Sequence, residues 1–203
     1  MKTLYIEAFQ KSDLIELDNS EIKKLPKRLF LAYSIQYKKL AESIKKQLIE
    51  NGIKLERFQQ VLGCSVVKTN LPILLVSTGK FHARNLFLQT PILYVLENDK
   101  IIQIPKKDIE NQRIMRKTAL MKFLSSENIG ILVSTKLGQE NLDKAIKLKA
   151  DIEKKGKNAF IFLSNNIDIS QFENFNIGSW VNTACPGLCF DNSSIINMNE
   201  VPK

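Results

Sequence analysis

The sequence predicts an α/β protein built from two similar three-layer domains with mainly parallel sheets, preceded by an orphan strand. Three observations point there. Apolar strands alternate with amphipathic helices, the order expected of βαβ units. The tripeptides Ser34-Ile35-Gln36 and Ser134-Thr135-Lys136 each close an apolar strand, 100 positions apart. In both copies the helix that follows is stopped by a glycine, Gly52 in one and Gly156 in the other. Repetition of one supersecondary unit at a fixed offset marks a duplicated fold.

The elements follow in order. Leu29–Ser34 reads as a strand. Leu40, Ile44 and Leu48, spaced i, i+4, i+8, place one apolar stripe on a helix that ends before Gly52. A strand over about Lys54–Phe58 leads into the turn that carries Cys64. Strands over Ile73–Ser77 and Ile92–Leu96, a hairpin-like turn at Asn98-Asp99 and a helix from about Lys106 to Leu124 complete the first copy. Pro105 suits the start of that helix, where its missing N–H costs nothing. The second copy has a strand at Ile129–Ser134, a helix carrying Leu142, Ile146 and Ile152, and a strand at Asn158–Leu163. The division implied is a leader over 1–28, a first domain over 29–126 with Cys64, and a second over 127–203 with Cys185. Within the leader, Thr3–Phe9 reads as a strand and the stretch ending at Pro26 as a polar linker. A lone strand is not stable by itself, so it is expected to complete a sheet elsewhere.

The composition is that of a globular chain, 44% hydrophobic and 25% charged over 203 residues. No apolar run reaches the roughly 20 residues of a membrane span. Glu7 and Gln10 interrupt any signal-peptide core. The net charge of +9 comes from scattered lysines, without an Arg-rich or aromatic-interleaved stripe. It therefore reads as solvated helix faces rather than a nucleic-acid surface. Three cysteines form an odd set with no secretion signal, which favours a reducing, cytoplasmic setting with thiols free for chemistry.

Two of those thiols stand at the mouths of separate α/β units, in Val61-Leu62-Gly63-Cys64 and Asn182-Thr183-Ala184-Cys185-Pro186. Glycine or proline beside cysteine lets the backbone approach something bulky, such as a metal or an iron–sulfur cluster. Free cysteine also packs as a small hydrophobe, and spacing alone favours that reading. Cys189, beside Leu188 and Phe190, reads as a small apolar residue; the alternative is a substitute third ligand. Lys136, Gly138 and Gln139 close a strand and open a helix, where free N–H groups attract anions; a plain turn and helix cap is the alternative, and Gln36 is the matching position of the first copy. His82 is the only histidine, open to acid–base work or to a structural role. No Ser-His-Asp set, Gly-rich phosphate loop or zinc spacing is present, and no catalytic residue is singled out.

Five motifs in register carry a resemblance. They are Ser34-Ile35-Gln36, Val61-Leu62-Gly63-Cys64, Thr78-Gly79-Lys80-Phe81-His82, Gly130 through Gln139, and Val181 through Pro186. In order and spacing the chain, over roughly residues 3–198, resembles the diphthamide-biosynthesis family, the 2-(3-amino-3-carboxypropyl)histidine synthases. The resemblance implies related α/β domains that each give one cysteine to a 4Fe–4S cluster, with S-adenosylmethionine on its fourth iron. It implies transfer of a 3-amino-3-carboxypropyl radical to a histidine of translation elongation factor 2. On this footing Cys64 and Cys185 become cluster ligands, and Gln36, His82, Lys136, Gly138 and Gln139 cofactor-binding residues.

The chain departs from the family pattern in three places. It is expected to lack most of a first domain and its cysteine. Tyr37 stands where the family has histidine, and Gly187 where it has arginine. Cys189 is an additional thiol. An enzyme subunit completed by another chain, as a homo- or hetero-oligomer, is one expectation. A non-catalytic partner, an electron-relay subunit or a degenerate paralogue is the other.

Overall fold

The computed structural model describes residues 15–67, 69–78 and 80–202, with backbone only for Lys80 and Phe81. The Thr3–Phe9 strand, and Gly79 of the Thr78–His82 element, lie outside the described residues. The described residues form two compact units that meet in sequence between Ile109 and Glu110. The division falls inside a helix, whereas the sequence reading set it at 125–128.

In the first unit β1 (Arg28–Tyr33), β2 (Lys54–Gln60), β3 (Ile73–Val76), β4 (Leu93–Glu97) and β5 (Lys100–Gln103) form one sheet in the order β2-β1-β3-β4-β5. All pairings are parallel except β4 with β5. That hairpin turns through Asn98 and Asp99, both at positive φ (46° and 63°), the backbone a two-residue hairpin demands. Alternate side chains of β1 serve two cores. Leu29, Leu31 and Tyr33 pack with Leu40, Ala41, Ile44 and Leu48 of α2 (Lys38–Glu50) on one face. Phe30 and Ala32 pack on the other with Ala83 and Leu86 of α3 (Lys80–Leu86). This is a sheet between two helical layers.

The segment before β1 is more than a polar linker. Asp18 caps a short helix, α1 (Asn19–Ile22), by accepting from Ser20 N. Leu17, Ile22 and Leu25 are buried in the same core as α2. The Glu21 carboxylate accepts from Ile101 N of β5 at 2.7 Å.

The second unit repeats the plan. Helix α4 (Lys106–Ser125) leads into β6 (Asn128–Ser134), α5 (Leu142–Lys154), β7 (Asn158–Ser164), β8 (Ser179–Asn182) and β9 (Ile195–Asn197). The sheet order is β7-β6-β8-β9, all parallel. Gly52 after α2 and Gly156 after α5 take the same left-handed conformation, φ +76° and +79°. Ile129, Ile131 and Val133 pack against Ala119 and Phe123 of α4 and Ala145 and Ile152 of α5. Ile146, expected in the apolar stripe, is instead 52% exposed, and the small Ala145 meets the sheet. The other face has no α-helix among the described residues. It is covered by Trp180 with Phe162 and Phe172, ring centroids 4.9 and 5.6 Å away, and by Cys189.

Candidate functional site

Parallel strands all end at one edge of their sheet, and ligands in open α/β sheets bind outside those carboxyl ends. In both units the first strand lies inside the sheet, so the crossovers run to opposite sides of it. The switch points fall between β1 and β3 and between β6 and β8. Every site residue expected from sequence follows such a strand end: Gln36 after β1, Cys64 after β2, His82 after β3, Lys136 to Gln139 after β6, and Cys185 after β8.

In the first unit the Cys64 turn is held from both sides. Val61 N donates to Tyr33 O at 2.8 Å, which ties the turn to β1. Within the turn, Leu62 N donates to Ser65 Oγ at 2.8 Å and Ser65 N to Leu62 O at 3.0 Å. Asn85 and Gln89 donate side-chain N–H groups to Ser65 O at 2.7 and 3.1 Å, tying the turn to α3 and its end. The Cys64 thiol at its tip is free and exposed. His82, on α3, has its Nδ1 3.2 Å from Ser77 Oγ, and burial lowers its pKa below the ordinary histidine value. Tyr37 is buried in the core, with its hydroxyl donating to Thr78 Oγ1 at 3.1 Å. Gln36 is exposed in the short 3-10 turn Ile35–Tyr37. Ser34 Oγ, also at the end of β1, is buried and has no hydrogen-bond partner among the described residues.

In the second unit Cys185 opens a 3-10 turn, Pro186–Cys189, and is half-buried with a free thiol. Asn182, the last residue of β8, holds the loop. Its amide donates to Cys185 O at 2.8 Å and to Asn197 Oδ1 at 2.9 Å, and accepts from Ala184 N at 2.9 Å. Cys189 points the other way. It is fully buried, its thiol donates to Asn197 Oδ1 at 3.0 Å, and burial pushes its pKa up to about 12. The sulfur is thus taken up in a hydrogen bond inside the core, where a packing group sits, rather than presented beside Cys185.

At Lys136, Gly138 and Gln139 the amides described are bonded within a turn, the geometry of the plain-turn alternative. The helix begins at Leu142. Lys136 N donates to Ser134 Oγ at 3.1 Å and Gln139 N to Lys136 O at 2.9 Å, so both amides are used inside the turn. Gly138, at φ +77°, allows the reversal. The Lys136 side chain is exposed. Asn141 Nδ2, donating to Thr183 O at 2.8 Å, fastens this turn to the Cys185 loop. Sequence reading missed Asn182, Asn197 and Asn141. Their one signal is that Asn182 ends a strand two residues before Ala184, the spacing of a side-chain turn to the backbone.

A cleft of about 630 Å3 in the second unit, lined by Phe123, Leu148, Ile152, Met198 and Val201, holds none of these residues. Among the described residues no group of three or more His, Cys, Asp or Glu side chains is placed to hold a metal. The two accessible thiols have the donor chemistry an iron–sulfur cluster takes, but two thiols are an incomplete set.

Fold and site together define a duplicated, mainly parallel α/β protein that presents one free thiol from a carboxyl-end loop of each unit. The family model described as "Putative diphthamide synthesis protein" matches residues 1–198, and the chain belongs to that family. It is 26% identical over 211 aligned residues to a 2-(3-amino-3-carboxypropyl)histidine synthase of Pyrococcus horikoshii, across 93% of this chain. The chain spans 60% of that relative's length. The crystal structure of Dph2 from Pyrococcus horikoshii superposes with a TM-score of 0.75 at 23% identity, over 95% of this chain and 62% of that one. The crystal structure of the same protein with a 4Fe–4S cluster gives 0.72 at 24% identity, over 89% and 58%. These likenesses bear out the mixed α/β fold with two mainly parallel sheets. No helix among the described residues is long and apolar enough to cross a membrane.

Proposed function

We propose that the chain supplies two thiolate ligands, Cys64 and Cys185, to a 4Fe–4S cluster of a cytoplasmic, S-adenosylmethionine-dependent 3-amino-3-carboxypropyl transferase. Its acceptor is a histidine of translation elongation factor 2. The observation that carries this is the pair of free, accessible thiols on strand-end loops of two like units, in a member of the diphthamide synthesis family. A synthase as curated relative, and a cluster in a structure of the same fold, support it.

The cluster, when bound, supplies the electron that cleaves the sulfonium cofactor. The chain's own residues hold and orient. Cys64 and Cys185 bind iron as thiolates. Lys136 offers an exposed ammonium beside the Cys185 loop, suited to the carboxylate of the cofactor's amino-acid end. Gln36, Gly138, Gln139 and His82 line the same strand-end edges. Cys189 is withdrawn, so the remaining ligand comes from a further domain, on this polypeptide or on another chain in a homo- or hetero-oligomer. A non-catalytic partner, electron-relay subunit or degenerate paralogue is the second reading, favoured by Tyr37 and Gly187 in place of the family's histidine and arginine.

Anaerobic reconstitution with iron and sulfide tests the proposal. Wild type is expected to develop the visible thiolate-to-iron absorption, and Cys64→Ala or Cys185→Ala to lose most of it. Iron content undiminished in both variants would sink the reading. Transfer of label from S-adenosylmethionine to elongation factor 2 then separates the transferase from the non-catalytic partner.

A further inference from the structure

We infer that Asn182 is a positioning residue for Cys185, the hub of a hydrogen-bonded chain that fixes where this thiol is presented. The inference rests on the reading of Cys185 as a cluster ligand. Asn182 is 2% exposed and ends β8, directly opposite Asn197 at the end of β9. Its side-chain oxygen takes the N–H of Ala184 and its amide nitrogen gives to the carbonyl of Cys185. One planar group therefore fixes two successive residues, and the Cβ–Sγ bond of Cys185 can swing only by rotamer. The amide's orientation follows from its neighbours: acceptors face its nitrogen and a backbone donor faces its oxygen.

The hub is itself anchored. Asn197 Oδ1 accepts from Asn182 at 2.9 Å and from the Cys189 thiol at 3.0 Å. Asn197 N donates to Glu200 Oε2 at 2.9 Å. Glu200 receives Arg116 of α4 through two guanidinium bonds, Nε at 3.1 Å and Nη2 at 2.6 Å. Arg116, whose side chain is 10% exposed, also donates to Cys189 O at 2.9 Å and to Ile195 O at 3.0 Å. A continuous path thus runs from α4 to the backbone on either side of the Cys185 side chain. Such support does not touch the metal. It decides how much reorganisation a ligand needs on binding, and removing a group of this kind costs about 10-fold to 100-fold in metal affinity.

Asn182→Ala and wild type, both reconstituted anaerobically as full chains, are challenged with a ferrous chelator. Thr183→Val is the matched control. It removes a buried bond of the same strand end, Thr183 Oγ1 to Leu132 O at 2.9 Å, without touching residues 184 and 185. Iron is expected to leave Asn182→Ala about 10-fold faster than wild type. The electron paramagnetic resonance signal of the reduced cluster should also change, while Thr183→Val keeps wild-type release and signal. Equal release in wild type and Asn182→Ala overturns the inference, as does equal acceleration in Thr183→Val, which would mark a general loosening. Asn182→Asp keeps the acceptor for Ala184 and loses both donors, and is read the same way if the alanine variant does not fold. Wild type that takes up no iron defeats the cluster reading instead. The positioning inference is then judged on the apo chain, where Asn182→Ala should change the alkylation rate of Cys185 and speed hydrogen exchange at Ala184 N. Rates equal to wild type for both would overturn it.

Discussion

The two units share one strand order and differ in how they use it. Order β2-β1-β3-β4 in the first corresponds to β7-β6-β8-β9 in the second, and α2 and α5 cover corresponding faces. The opposite faces diverge. In the first unit Phe30 on β1 fills the core beside Ile73 on β3, under α3. In the second, the matching pair is Gly130 on β6 and Trp180 on β8, so the large ring has moved to the neighbouring strand. The thiols diverge too. Cys64 follows the second strand of its unit and Cys185 the third; by register, the place of Cys185 in the first unit belongs to Thr78. Duplication has therefore preserved the edge at which chemistry is presented while leaving the loop free to vary. That is the behaviour of a parallel sheet, whose strand ends all open on one side.

The core exchange gives the largest expected effect. A Cβ built on Gly130 would overlap the Trp180 ring at Cε3, so Gly130→Phe overpacks a closed core and should cost about 3 kcal/mol. Trp180 is the sole tryptophan, so its fluorescence in urea reports this unit directly. The double variant Gly130→Phe/Trp180→Ile transplants the first unit's pair and should recover at least about 1 kcal/mol over Gly130→Phe, read by circular dichroism. No recovery would mean that the corresponding faces are not interchangeable.

The thiols give the next effect. Iodoacetamide on the native chain should label Cys64 and Cys185 and spare Cys189, which is buried and held neutral by a pKa near 12. Mass spectrometry should count two adducts in buffer and three in denaturant. Cys189 labelled as fast as Cys185 would break the contrast between a presented and a withdrawn sulfur in one loop.

Legibility in the sequence follows the range of the forces involved. β1 and β6 were readable because a strand buried on both faces is a continuous apolar run, and α2 because Leu40, Ile44 and Leu48 repeat at helical spacing. The α5 stripe misled at Ile146, because the larger side chain carries the pattern while Ala145 makes the close approach. Helix α1 hid among polar letters, since four residues show no period and its burial depends on the distant β5. The strand-end placement of Cys64 and Cys185 was legible from flanking glycine and proline. The direction of Cys189 was not, because a Cys-Pro-Gly-Leu-Cys arc reads the same whichever way its last sulfur turns, and Asn182 and Asn197 decide it from other strands. At Lys136 the sequence leaves a helix start and a plain turn open, because nothing local shows that Ser134 takes the first amide.

The smallest expected effect separates the units by pH. His82 is the only histidine, so the first unit alone carries a group that ordinarily titrates near neutrality. Burial disfavours its charged form and lowers its pKa below the unfolded value of 6.5. Below that pH the unfolded chain binds the proton more readily than the native one. Stability is therefore full above about pH 6.5 and declines as pH falls from there toward the lowered native pKa. The side chain is only partly buried, so the decline should be shallow. The urea midpoint by circular dichroism should fall slightly between about pH 7 and pH 5.5 in wild type and stay flat in His82→Gln, since carboxylates titrate mostly below that range. The imidazole Cε1 proton should titrate below 6.5 by nuclear magnetic resonance. A midpoint that rises on acidification would reverse the sign and indicate that a nearby anion, rather than burial, governs this histidine.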